Sequence, residues 1–122
     1  MELSLRRHTV GVVEVLALSG EIDLATLPRL RDSLARLVDD APGTTVAVDL
    51  DGVTVLDDTG LGIVLGAAGH ARRRGGDLVA VCSEGPLRER LMLTGADRAV
   101  RVGANLHEVA SGSAPQGHDR PV

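Results

Sequence analysis

The stretch Leu56-Asp57-Asp58-Thr59-Gly60-Leu61-Gly62 separates two hydrophobic patterns. Before it, Thr44 to Leu50 reads as a buried strand ending in Asp49-Leu50-Asp51-Gly52, with a short extension Val53-Thr54-Val55-Leu56. After it, Leu61, Ile63, Val64, Leu65, Ala67, Ala68 and Ala71 predict a largely apolar helix that stops at Arg72-Arg73-Arg74-Gly75-Gly76. Acids at its start, bases in its last turn and glycine beyond it suit the helix dipole and a C-terminal stop. A strand that runs through an acidic turn into a helix points to an α/β sheet, with the turn at a strand end where such sheets present functional groups.

Working outward, strands and helices alternate on both sides. Between Glu2 and Leu18 two strand-like segments flank Gly11 and predict a hairpin or two adjacent strands. Gly20-Glu21-Ile22-Asp23 is expected to turn the chain, with Asp23 capping a helix whose apolar positions are Leu24, Leu27, Leu30, Leu34, Leu37 and Val38. Pro28 falls in the first turns of that helix, where a missing amide is tolerated, and Ala41-Pro42-Gly43 ends it. Downstream, Leu78 to Cys82 reads as a strand, Gly85-Pro86 starts a helix to about Leu93, Ala99 to Val102 is a short strand, and Asn105 to Ala110 is a final helical turn. From Ser111 onward there is almost nothing to bury, so residues 1–110 are expected to form the domain and 111–122 a disordered tail.

Composition narrows the function. The 122 residues suffice for one domain, and 43% hydrophobic with 25% charged residues is ordinary for a globular chain. There is no Phe, Tyr or Trp, so the core must be aliphatic and the stacking platforms of single-strand nucleic-acid binders are missing. All 13 basic residues are Arg, which excludes chemistry that needs a Lys amine. A net charge of -4 gives no basic footprint for nucleic acid despite the Arg72-Arg73-Arg74 cluster. No apolar run approaches membrane-spanning length and no signal-like stretch opens the chain, so no membrane association and a cytoplasmic location are expected. Cys82, the single cysteine, reads as a buried strand thiol, and Arg88, Glu89 and Arg90 as the solvated face of the third helix.

Three readings compete for the acidic turn. Its carboxylates can cap the free amides of the helix. Asp49, Asp51, Asp57 and Asp58 can instead supply oxygen ligands to a hard cation in a phosphotransfer site, although the Lys that receiver domains place beside their phosphoryl group is missing. His8, His70, His107 and His118 lack a ligand spacing, so no metal and no cofactor are expected. The third reading is a protein-contact surface. With no nucleophile and base pair and no phosphate loop visible, the chain is expected to bind rather than catalyse.

That third reading comes from a resemblance. Gly20-Glu21-Ile22-Asp23, Val48-Asp49-Leu50-Asp51-Gly52-Val53, Leu56-Asp57-Asp58-Thr59-Gly60-Leu61-Gly62, Arg73-Arg74-Gly75-Gly76 and Leu93-Thr94-Gly95-Ala96-Asp97 together resemble the STAS domain of bacterial anti-sigma factor antagonists. The likeness runs in order from about residue 3 to 110. It implies a single domain with a mixed four- to five-stranded sheet and helices packed mainly on one face. It also implies binding to an anti-sigma factor of the serine/threonine kinase type, which frees a sigma factor for transcription.

In the family the kinase phosphorylates a Ser or Thr at the start of this helix, and the modified protein no longer binds. Here Asp58 occupies the acceptor position and Thr59 the hydroxyl after it, which leaves two expectations: Asp58 fixes a charge at the contact surface, giving an antagonist that is constitutive, weakened or matched to a partner's complementary base, or phosphorylation moves to Thr59. The resemblance places Glu21, Asp23, Asp57, Asp58, Thr59, Gly60 and Leu61 at the partner surface. It leaves open a homodimer and an alternative use as a sensor or scaffold module that binds a small ligand or other signalling proteins.

Overall fold

The computed structural model describes residues 2–111. The chain begins with an antiparallel hairpin, β1 (Ser4–Val10) and β2 (Val13–Ile22), followed by α1 (Leu27–Asp40) and β3 (Thr45–Leu56). Next come α2 (Asp58–Arg73), β4 (Asp77–Val81), α3 (Pro86–Leu93), a 3₁₀ turn at Ala96–Arg98, β5 (Arg101–Gly103) and α4 (Leu106–Ala110). The strands lie in the order β1-β2-β3-β4-β5. β1 is antiparallel to β2, and every later pairing is parallel. The expected mixed sheet is thus a five-stranded one. The expected disordered tail lies, beyond Ser111, outside the described residues.

Three successive crossovers advance the sheet in one direction, and the common hand of such crossovers delivers their helices to one face. There, Leu30, Leu34 and Leu37 of α1, Val64 and Ala68 of α2 and Leu91 of α3 pack on Leu16, Ile22, Val46, Val48, Leu50 and Leu78. A smaller cluster on the opposite face joins Val13, Val15, Ala47, Val79 and Val81 to Leu106, Val109 and Ala110, so among the described residues α4 is the helix that covers that side. Strands buried on both faces explain the continuous apolar runs in β3 and β4. Aliphatic side chains fill both layers.

Five local expectations need correction. Gly20-Glu21-Ile22 does not turn the chain but continues β2, because Ile22 is fully buried and pairs with Leu56. Gly20 absorbs the irregular register there at φ +97, and a Cβ on it would fall 2.2 Å from the Glu2 carbonyl oxygen. Helix α1 starts at Leu27, and Leu24 is left 80% exposed. Asp23 does not cap that helix. Its Oδ1 accepts the amides of Ala25 and Thr26 at 3.1 and 3.2 Å and closes a turn ahead of it. The Val53–Leu56 extension is part of a single 12-residue β3, since pairing with β2 persists past Gly52. Residues 96–98 form the 3₁₀ turn that shortens the last strand to Arg101–Gly103.

Candidate functional site

Strands β2 and β3 are parallel and end on the paired residues Ile22 and Leu56, so the chain leaves them side by side as Asp23 and Asp57. Both carboxylates are spent on backbone. Asp23 closes its turn as described, and Asp57 is the N-cap of α2, with Oδ1 accepting the Gly60 amide at 2.8 Å. The extended Asp57 backbone (φ -84, ψ 175) gives the expected cap geometry, and the Leu61 amide donates to the Asp57 carbonyl at 3.0 Å.

Gly60 and Leu61 lie below this surface. Leu61 is 6% exposed and belongs to the main core. At Gly60 an added Cβ would stand 2.6 Å from Ile22 Cγ2 and 3.0 Å from Leu56 Cδ1. Glycine therefore lets the first turn of α2 sit directly on the strand ends, which fixes how far the preceding residues project.

Asp58 and Thr59 project in different directions. The Asp58 side chain is 95% exposed and meets Arg90 of α3, with Nη2 2.7 Å from Oδ1. Thr59 is exposed and lines a groove of about 380 Å³ between α1 and α2, whose other walls include Arg31, Leu34, Ile63 and His70. Gly62 and Gly66 leave its floor open, with nothing near the position of an added Cβ. Glu21, opposite Val55 in the register, and the exposed Asp23 complete the same edge.

Arg90 was not visible as part of this surface, and the expected solvated face of α3 holds for Glu89 only. Arg88 donates to the Cys82 carbonyl at 3.1 Å, and Arg90 donates through Nη1 to the Leu56 carbonyl as well as to Asp58. The two arginines thus tie α3 to the ends of β4 and β3. Their i, i+2 spacing carries no local signature, so only a model of which strand ends lie beneath α3 could have singled them out.

The acidic residues do not converge. Asp49 Oδ1 accepts the Asp51 amide at 3.0 Å, and Asp51 Oδ1 accepts both the amide and the hydroxyl of Ser83 at 2.8 and 2.9 Å. Asp51 lies within β3 and Asp57 just past its end, on the order of 20 Å apart at about 3.3 Å per residue. Among the described residues no group of three or more His, Cys, Asp or Glu is arranged to hold a metal ion. Cys82 is buried, and burial pushes its thiol above the ordinary range, assisted by Asp51 and opposed by Arg88. That environment suppresses the thiolate a nucleophile needs. No helix among the described residues is long and apolar enough to cross a membrane.

A model of the STAS domain matches residues 5–109. The anti-sigma-F factor antagonist RsfB of Mycobacterium tuberculosis is 32% identical over 100 residues, covering 82% of this chain and 80% of that protein. The anti-sigma-B factor antagonist of Listeria monocytogenes is 36% identical over 61 residues, 50% of this chain and 53% of its own. Among solved structures, an anti-sigma factor antagonist from Mycobacterium paratuberculosis superposes with a TM-score of 0.80 at 25% identity, covering 91% of this chain and 93% of that one. The family match over residues 5–109, the relative 32% identical over 82% of the chain and the superposition over 91% of it cover nearly the whole domain: this chain belongs to the STAS domain family.

Proposed function

We propose that this protein is an anti-sigma factor antagonist that binds an anti-sigma factor of the serine/threonine kinase type and so releases a sigma factor for transcription. It acts in the cytoplasm, where sigma factors meet RNA polymerase, and works by binding rather than by catalysis. The observation that carries the proposal is the acid-capped start of α2, in a chain 32% identical to an antagonist over 82% of its length. Glu21, Asp23, Asp57, Asp58 and Thr59 would meet the partner, while Gly60 and Leu61 set the height at which they stand.

Asp58 stands at the acceptor-equivalent position, so a phosphoryl group cannot be added there as a Ser or Thr ester. Phosphorylation, where it occurs, falls on the exposed Thr59 hydroxyl. A phosphate would add roughly -1.5 to -2 charges beside the partner.

The test is calorimetric titration of the purified chain with each anti-sigma factor encoded by its host, followed by incubation with ATP and mass spectrometry. Saturable binding to one of them, competed by its sigma factor, is expected. The proposal fails if none binds. A Thr59 that stays unmodified in the presence of a bound, active kinase would rule out its use as an acceptor.

A further inference from the structure

Asp58 is not a bare charge. Its carboxylate is met by Arg90 at 2.7 Å, and the same guanidinium donates through its other terminal nitrogen to the carbonyl of Leu56, the last residue of β3. The second bond matters because it does not involve Asp58. Anchored to a strand end and only 33% exposed, Arg90 is held in place by the fold itself. Arg88, two residues earlier, makes the equivalent tie to the Cys82 carbonyl after β4, so α3 is fixed at two points.

We infer that Arg90 is a built-in counter-ion for Asp58, and that it presents the start of α2 to a partner as a neutral pair rather than as an added negative charge. A planar fork with several donors can serve a carbonyl and a carboxylate at once, which a point charge cannot. Two unit charges this close cancel beyond a few ångströms, whatever the small net stability of the exposed pair. The pair therefore adds no net charge to the start of α2. Arg90 acts through Asp58 and is a positioning residue.

The consequence for binding rests on the antagonist reading, whereas the pairing does not, so the test has two arms. In the first, urea unfolding of wild type, Arg90→Gln, Asp58→Asn and the double variant is measured at low salt. A two- to fivefold coupling in the unfolding constant, shrinking in high salt, is expected, on the order of an exposed ion pair. Additive effects would overturn the pairing.

In the second arm the same proteins and Arg90→Lys are titrated with the host anti-sigma factor that binds wild type. Arg90→Gln should weaken binding about tenfold by uncovering the Asp58 charge. Adding Asp58→Asn should restore it to within about threefold, and Arg90→Lys should fall between. Equal loss in the single and double variants would make Arg90 a direct contact, and no loss would make it irrelevant; either sinks the counter-ion role. If no anti-sigma factor binds wild type, the proposed function falls, and the unfolding cycle still decides the pair.

Discussion

The two ends of α2 carry the charges that a helix dipole favours, yet they use them differently. At the C-terminal end, His70 Nε2 and Arg74 both meet Asp39 of α1 at 2.9 Å, Arg72 meets Asp77 of β4 at 3.4 Å, and Arg101 of β5 meets the same carboxylate at 3.3 Å. Side chains there link elements to one another. At the N-terminal end Asp57 is consumed by the backbone of its own helix, and the next carboxylate, Asp58, stands almost entirely in solvent. The same dipole rule reads acids and bases at both ends. Both ends reach a neighbouring element, and what separates a clamp from a presentation surface is how far the carboxylate is covered: Asp77 is 21% and Asp39 47% exposed, whereas Asp58, paired with Arg90 of α3, is 95% exposed.

The glycines sharpen the contrast. Gly60 lies against Ile22 and Leu56, whereas Gly66, farther along the same helix, has open space where a Cβ would go. Gly60→Val should therefore cost about 3 kcal/mol by overpacking the junction of α2 with the strand ends, read as a fall in urea midpoint. Asp57→Ala comes next, at about 1 kcal/mol for the lost cap, together with weaker binding to the anti-sigma factor because the turn loosens. Unchanged binding in Asp57→Ala would separate the cap from the contact surface. Gly66→Ala should shift stability the other way, by about 0.5–1 kcal/mol, since a free helical position gains from a less flexible residue. If Gly60→Val were tolerated as well as Gly66→Ala, the start of α2 would be no more tightly packed than its middle.

Smaller effects test the clamp and the core. Asp39→Ala removes two half-exposed pairs and should cost less than about 1 kcal/mol, an effect that fades with added salt. A larger, salt-insensitive loss would show that the clamp carries more of the fold than exposed pairs ordinarily do. The smallest effect concerns Cys82. Burial raises its folded thiol, so the protonated form is favoured in the folded state. The associated stability is complete below the ordinary value of 9.0 and is lost as pH rises through the higher folded value. Against Cys82→Ala, wild type should thus lose relative stability only as pH rises above 9.0, and a maleimide should label it slowly until urea unfolds the chain. Rapid labelling of the native protein would contradict its burial.

Much of the architecture was legible because it follows from local rules. The switch from a continuous apolar run ending at Leu56 to a helical pattern after Gly60 located β3 and α2. Asp57 as a cap, Pro28 and Pro86 in first turns, and glycine after Arg74 marked helix limits that the structure reproduces to within a few residues. The errors lie where a distant segment overrides a local signal. Gly20-Glu21-Ile22-Asp23 has the composition of a turn, but pairing with Val53–Leu56 keeps it extended to Ile22. Asp23 sits at the right distance to cap a helix, but the chain needs three more residues to swing α1 onto the sheet face.

The amino-acid sequence by itself determined that the chain is an aliphatic α/β domain and that the acidic turn Asp57-Asp58-Thr59 opens its second helix. Those features depend on residue types and short spacings, which are written directly in the chain. Tertiary structure alone decided that Asp23 and Asp57 emerge together, that Thr59 faces the α1–α2 groove while Asp58 faces α3, and that Arg90 meets Asp58. The last pair joins residues 32 apart in sequence. Such a contact depends on where strand order and crossover direction set α3, and no local pattern encodes it.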